Sequence, residues 1–335
     1  MSASKHSLKT ASWSKNAENQ PRRVGVELEI AGFDLDHLTQ ILAQFFDLRI
    51  EHPGRYERKL IGDPAGDWVI ELDFDLLKKI GREPRAQDVK GQELEQTAED
   101  LLAWTAEMLV PLEIVSPPLP LTRLTQVEEM ISHLRDAGAK GTSDNLINAF
   151  GMQFNPELPQ LDAPFITRCL QAFACLYDWL FKHTNINMTR RITSYVNPYP
   201  KRYAQKITQA DYQPNLGQLI DDYLMDNPTR NRALDMLPLF AHLDSDRVAK
   251  VTQDALIKPR PTFHYRLPDC NIHQPNWGLY IAWNDWVEVE RLAEDTVRLQ
   301  ACCDAYQDYL NSPLKNMLNN WADITETEWL NPPSQ

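Results

Sequence analysis

Residues 24–30, with the sequence VGVELEI, have the alternation of a half-buried β-strand and carry two glutamates two positions apart. Because side chains at positions i and i+2 of a strand share a face, Glu27 and Glu29 project together and the apolar residues face the other way. Two like charges side by side weaken a sheet, and a bound cation such as Mg²⁺, which prefers carboxylate oxygens, would remove that cost. The alternative is a solvated edge strand with two surface glutamates.

The overall composition is that of an ordinary soluble globular protein, with 335 residues of which 43% are hydrophobic and 24% are charged. The formal net charge of -13 argues against nonspecific binding to nucleic acids or anionic membranes. Five cysteines, two of them adjacent, show neither metal-ligand spacing nor a disulfide framework, so we expect a reducing, cytoplasmic location. No apolar run reaches the length of a membrane span.

The polar segment 1–20 lacks the apolar core of a signal peptide, and we expect a mobile N-terminal tail followed by a single domain over residues 21–330. Apolar periodicity and turn signals predict further strands near 47–51, 56–61, 68–73, 112–115, 146–154 and 262–267. They predict helices near 35–47, 93–108, 124–137, 164–181 and 277–309, several short helices over 215–256, and one near 314–321. Strands scattered among non-alternating helices indicate an α+β fold with an antiparallel sheet.

Two further groups of acids lie on predicted strands. Glu71, Asp73 and Asp75 share one face of the strand that begins at Trp68. Glu113 stands alone among apolar neighbours in LEIV, and such a lone acid usually lies half exposed on an open sheet face. These acids become candidate ligands only where other acids share their face.

The segment 185–209 is basic within an acidic chain, with five Arg or Lys residues, including Arg191 and Arg202, and no Asp or Glu. Tyrosines and asparagines are interleaved with these basic residues. Clustered Arg and Lys with hydrogen-bonding neighbours suit a polyphosphate. The alternative is a basic face that pairs with the acidic remainder of the chain.

Two other stretches present polar side chains on single strand faces. GMQFN at 151–155 presents Gln153 and Asn155, and FHYR at 263–266 presents His264 and Arg266. A lone histidine in a strand is more often structural than a ligand. Together with the acids, these strands would form a concave polar face that suits two metal ions and a nucleotide.

Six motifs follow one another along the chain: GVELE at 25–29, WVIELD at 68–73, EIVSP at 113–117, GMQFN at 151–155, NRALDMLPL at 231–239 and FHYRLPD at 263–269. In this order they resemble the motifs of the amidoligases, relatives of glutamine synthetase and glutamate–cysteine ligase. Each motif is weak alone, whereas the ordered set is more specific and spans most of residues 22 to 290.

The resemblance implies a curved antiparallel sheet with helices packed on one face and an open face that binds ATP and Mg²⁺ or Mn²⁺. It implies that residues 21–330 form one catalytic domain, an ATP-dependent ligase that joins a small-molecule or peptide carboxylate to an amine through an acyl phosphate. Neither nucleic acid nor a membrane is an expected partner. The identity of the substrates and the oligomeric state stay open.

The resemblance also assigns roles to single residues. Glu27, Asp73 and Glu113 resemble the ligands of one metal ion, and Glu29 resembles a ligand of another. Arg266 matches an arginine that would contact ATP and offset phosphoryl charge.

The remaining assignments concern the nucleotide and the basic segment. Arg191 and Arg202 would act with Arg266 as catalytic residues that contact phosphate or the substrate carboxylate. Gln153 and Asn155 would contact the nucleotide.

Three positions depart from the family pattern. Gln153 stands where the family usually has histidine, so that His-x-His becomes Gln-x-Asn; His264 stands where it usually has glutamate; Asp235 replaces an asparagine. The second metal site would lose a carboxylate and an imidazole, although Gln153 and His264 can still serve as ligands.

His264 as a ligand would compete with a proton near its unperturbed pKa of about 6.5. Gln153 and His264 favour one alternative to a ligase, a degenerate nucleotide- or peptide-binding protein without turnover. A second alternative, a scaffold without a ligand site, would require the acids to be dispersed.

Overall fold

The computed structural model describes residues 7–54, 56–72, 111–142, 150–184, 196–312 and 320–330. Several predictions lie outside these ranges: the positions of Asp73, Asp75 and Arg191, the helix over 93–108, and most of the short helix near 314–321.

Within the described residues, one antiparallel sheet contains seven strands: β1 (Arg23–Ile30), β2 (Arg49–Glu51), β3 (Glu57–Ile61), β4 (Trp68–Leu72), β5 (Leu112–Val115), β6 (Leu119–Pro120) and β7 (Met152–Pro156). The order across the sheet is β2-β3-β4-β5-β1-β6, and β7 also pairs with β1. Because β1 pairs with β5, β6 and β7, it is the strand around which the sheet is assembled. The expectation of an α+β fold with an antiparallel sheet is confirmed.

The two faces of β1 differ as the alternation predicts. Val26, Leu28 and Ile30 are buried, whereas Glu27 and Glu29 on the other face are half-buried. The strand phase therefore directs both glutamates away from the apolar core.

One helix packs against strands of the sheet, and a second helix packs against the first. Helix α1 (Leu35–Phe46) begins at Asp34, whose side chain accepts a backbone N–H of the first turn, and ends at Asp47, which has φ 54°. Its apolar stripe packs against β2, β3 and β4. Helix α2 (Leu124–Asp136) ends just before Gly138, which has φ +103°, as the sequence predicts.

The other helices are α3 (Ala163–His183), α4 (Lys201–Ile207), α5 (Leu216–Asp226), α6 (Leu237–Leu243), α7 (Ser245–Ala249), α8 (Leu279–Glu294), α9 (Thr296–Asn311) and α10 (Trp321–Ile324). A 3₁₀ turn (Leu121–Arg123) precedes α2, and a π-helical turn (Thr325–Leu330) follows α10. Helix α3 packs against α8, α9 and α10. The predicted helical region 277–309 is two helices, because Asp295 leaves helical geometry and its side chain caps α9. Among the described residues, no helix combines the length and the apolarity needed to cross a membrane.

The segment 7–22 lies against α8. The backbone N–H of Lys9 donates to Asn284 Oδ1 at 2.6 Å. Arg22 is buried and pairs with Glu290 of α8 at 2.5 Å. Polar groups of the segment therefore have partners on α8, and the mobile tail over residues 1–20 stays a prediction.

The segment 262–267, predicted as a strand, forms single bridges with two neighbours and no regular strand. Tyr265 exchanges backbone hydrogen bonds of 2.8 and 2.9 Å with Phe154 of β7, while the N–H of Arg266 donates to the carbonyl of Ala233 at 2.8 Å. Prolines at 261 and 268 lack the N–H that a continuous ladder needs. The segment nevertheless lies beside β7.

Candidate functional site

Four glutamates from adjacent strands stand in one row across the sheet. Glu29 of β1 lies opposite Glu113 of β5, Glu113 lies opposite Glu71 of β4, and Glu71 lies opposite Glu57 of β3. Directly opposite residues of antiparallel strands project from the same face, so these four side chains form a glutamate row. Glu27 lies two positions from Glu29 on that face.

Some of the acids predicted to bind metal lie together on one face of the sheet, and one lies outside the described residues. The structure brings Glu27, Glu29 and Glu113 to one face, as their strand phase predicts. Asp73 lies outside the described residues. The sequence places Glu71 on an acidic strand and gives it no role as a ligand. Its position opposite Glu113 makes it part of the row.

Strand β7 supplies hydrogen-bond donors to the two glutamates of β1. The backbone N–H of Gly151 donates to Glu29 Oε2 at 2.7 Å, and the amide of Gln153 donates to Glu29 Oε1 at 3.1 Å. The amide of Asn155 donates to Glu27 Oε1 at 2.7 Å. The two residues predicted to contact the nucleotide therefore hold the carboxylates of β1 in place.

Arg260, which no sequence motif indicates, also belongs to this hydrogen-bond network. Arg260 donates from Nε and Nη2 to Asn155 Oδ1 at 3.1 and 2.7 Å, and its Nη2 lies 4.0 Å from Glu27 Oε1. Its only signal in the sequence is its place between two prolines, Pro259 and Pro261, which carries no information about its partner.

His264 is buried and connects the site to Asp235. Its Nε2 lies 2.8 Å from Gln153 Oε1 and 3.9 Å from Glu27 Oε2. An amide oxygen only accepts, so Nε2 donates in this arrangement. Nδ1 lies 3.5 Å from Asp235 Oδ2, and neither atom has a hydrogen-bond partner among the residues that the structure describes.

Burial disfavours charge on both members of this pair. Burial, together with the nearby Arg266, Arg260 and Arg230, lowers the pKa of His264 well below its usual value. Burial raises the pKa of Asp235 to about 6, against the opposing effect of Arg266. A proton would therefore compete with a metal ion for His264 at a lower pH than the unperturbed pKa of about 6.5 suggests.

Three arginines surround these groups. Arg230, Arg260 and Arg266 all act electrostatically on Asp235 and His264. Burial lowers the pKa of Arg266, and the carboxylates of Asp235, Glu27 and Glu29 oppose that lowering. The predicted phosphoryl-binding arginine therefore lies within electrostatic range of both glutamates of β1.

The described part of the basic segment contacts acids of α5. Arg202 Nε pairs with Asp226 Oδ1, and Lys206 Nζ pairs with Asp222 Oδ1 at 2.5 Å. These pairs match the alternative in which the basic segment neutralises acids of the chain. Contacts of Arg202 with phosphate or carboxylate stay a prediction, and Arg191 lies outside the described residues.

A divalent cation fits the donor chemistry of the glutamate face. In the described part of the chain, no three His, Cys, Asp or Glu side chains already converge on a common point. Glu29 and Glu113 are nevertheless directly opposed, and opposed carboxylates repel unless positive charge lies nearby. Carboxylate oxygens are donors of the kind that Mg²⁺ and Mn²⁺ take.

Comparison with known proteins adds one finding. A family model described as "putative amidoligase enzyme" matches residues 20–288, which is most of the chain. A search of curated proteins found no match. The matched range contains the glutamates of β1, β4 and β5, the amides of β7 and the three arginines. Because the match extends over more than half of the sequence, the chain belongs to the amidoligase family.

Proposed function

We propose that the protein is an ATP-dependent carboxylate–amine ligase that works with Mg²⁺ or Mn²⁺. Family membership supports a ligase-type function. The observation that carries the proposal is the juxtaposition of opposite charges: Glu27 and Glu29 lie within electrostatic range of the buried guanidinium of Arg266. A site of this kind offers carboxylates to a metal ion and guanidinium groups to phosphate oxygens.

The proposed reaction has two steps. An oxygen of the substrate carboxylate attacks the γ-phosphorus of ATP, the bond to the β-phosphate oxygen breaks, and ADP leaves. The amine then attacks the carbonyl carbon of the acyl phosphate, phosphate leaves, and a proton of the amine is released. Glu27, Asp73 and Glu113 would hold one divalent cation and Glu29 would help to hold another, and these cations would neutralise phosphate charge.

The chain's own residues have defined tasks in this reaction. Arg266, with Arg230 beside it, would stabilise negative charge that develops on the transferred phosphoryl group. Gln153 would hold Glu29 and His264 in fixed orientations through its two hydrogen bonds. His264, neutral and hydrogen-bonded, would order the site without adding charge.

The test is a nucleotide-release assay with panels of small carboxylates, peptides and amines. We expect ADP release that requires a carboxylate and an amine together with Mg²⁺ or Mn²⁺. Glu29→Gln should lower the rate about 100-fold or more, because it removes a candidate ligand of the metal. Arg247→Met is the matched control, since Arg247 pairs with Asp221 and Asp244 and has no part in the site. Release of ADP at the same rate when either the carboxylate or the amine is left out would contradict a ligase.

A second candidate function is a nucleotide- or peptide-binding protein without turnover. It is favoured by the amide donors of Gln153 and Asn155, which satisfy Glu29 and Glu27 with hydrogen bonds that need no metal ion. This candidate predicts that ATP raises the unfolding temperature equally with and without Mg²⁺, and that no substrate pair releases ADP.

A further inference from the structure

The guanidinium of Arg260 fixes the orientation of the Asn155 amide, and that amide donates a hydrogen bond to Glu27. Arg260 donates two N–H groups to Asn155 Oδ1, at 3.1 and 2.7 Å. The amide can therefore present only its NH₂ group to Glu27, and Nδ2 lies 2.7 Å from Glu27 Oε1. Because an amide is nearly symmetric in shape, this choice of orientation comes from its partners.

The surroundings of Asn155 leave it little freedom. Gly25 lies opposite Asn155 in the β1–β7 pairing. A Cβ at Gly25 would lie 3.3 Å from the Asn155 Cβ and 3.5 Å from its Nδ2, so the glycine provides the space that the amide occupies. The backbone of Arg260 is held as well, since its N–H donates to the carbonyl of Pro238 at 3.1 Å.

We infer that Arg260 is a positioning residue that acts on Glu27 through Asn155. With Oε1 of Glu27 occupied by the Asn155 amide, Oε2 is the oxygen that faces the rest of the site, where it lies 3.9 Å from His264 Nε2. Arg260 thereby decides which oxygen of Glu27 a divalent cation meets. The inference rests on the proposed function, because it concerns metal binding by Glu27.

The geometry requires an arginine at this position. Nε and Nη2 of one guanidinium both reach the same oxygen, an arrangement that a planar fork provides and a single ammonium does not. A lysine would keep a positive charge near Glu27 and lose the fork. Arg260→Lys therefore separates orientation of the amide from a simple effect of charge.

The experiment is a Mn²⁺ titration followed by electron paramagnetic resonance, with purified wild type, Arg260→Met, Arg260→Lys, Asn155→Ala and the double variant Arg260→Met/Asn155→Ala. Arg247→Met is the matched control for loss of one arginine. Circular dichroism and unfolding temperature verify that each variant is folded. We expect Arg260→Met and Arg260→Lys to weaken Mn²⁺ binding about 10-fold or more, the effect typical of losing a partner behind a metal ligand.

The double variant decides whether the effect passes through Asn155. If it does, the double variant binds Mn²⁺ no more weakly than Asn155→Ala alone, since the two changes interrupt one connection. Additive losses, or wild-type binding by Arg260→Lys, would overturn the route through the amide. Wild-type binding by Arg260→Met would overturn the inference and leave the proposed function intact, whereas absence of Mn²⁺ binding by wild type would overturn both.

Discussion

Replacing Arg22 by methionine should destabilise the protein strongly, because Arg22 neutralises a carboxylate in the interior. The side chains of Arg22 and Glu290 are 1% and 2% exposed, and Nη2 lies 2.5 Å from Glu290 Oε1. The arginine also donates from Nε to the carbonyl of Glu157 at 2.6 Å. After the change, Glu290 keeps a 2.7 Å hydrogen bond from Trp286 Nε1 but loses its counter-charge. Removing one partner of a buried ion pair costs about 3–5 kcal/mol.

Urea denaturation at neutral pH measures this loss, with an unchanged dependence of unfolding free energy on urea as the sign that the same surface is exposed. Replacing Arg22 and Glu290 together by methionine should recover much of the stability, because an apolar pair replaces a buried ion pair at little cost. Arg247→Met, which removes two ion pairs at the surface, should cost less than the loss expected for Arg22→Met. A loss below about 1 kcal/mol for Arg22→Met would refute the reasoning.

Three further predictions concern other sites. The hydrogen bond to Asp285 raises the pKa of His183. The pair therefore stabilises the fold fully below the unfolded pKa of about 6.5, and this stabilisation is lost as pH rises through the folded pKa. In denaturant titrations His183→Gln should destabilise the protein more at pH 5.5 than at pH 9, and equal losses at both pH values would contradict this. Gln153→Leu removes the acceptor of His264 Nε2 and should cost about 1–3 kcal/mol in the same assay, with no change in stability as the contrary result. Glu113→Gln should weaken Mn²⁺ binding about 10-fold or more in a titration, whereas wild-type affinity would exclude Glu113 as a ligand.

The placement of the candidate acids follows from the sequence because a strand has a period of two. The alternation around Glu27 and Glu29 fixes their common face before any neighbour is known, and the same holds for Glu113. The glutamate row needs one further piece of information, the register between strands. Register places Glu71 opposite Glu113, and pairing over such separations is set by the whole sheet.

The sequence does not indicate contacts between distant residues that belong to no periodic pattern of side chains. Arg260 lies 105 positions from Asn155 in a proline-flanked loop, so no local pattern joins them. Lys9 lies in the segment 1–20, whose polar composition indicates no partner, yet its Nζ lies 2.6 Å from Oε1 of Glu288, which is 279 positions away. Local composition indicates whether a segment favours water, whereas these contacts depend on which helix lies next to the segment in the fold.

The central position of β1 has a consequence for synthesis of the chain. β1 ends at Ile30 and its partner β7 begins at Met152, so the ribosome adds about 120 residues before β7 exists. At roughly 5–20 residues per second, the edge of β1 that pairs with β7 stays without its partner for roughly 6–24 s. During that time its alternating glutamates oppose association with other nascent strands, because like charges in register repel. The glutamates of β1, to which the proposed function gives a metal-binding role, would therefore also oppose pairing of this strand with other chains while the chain is incomplete.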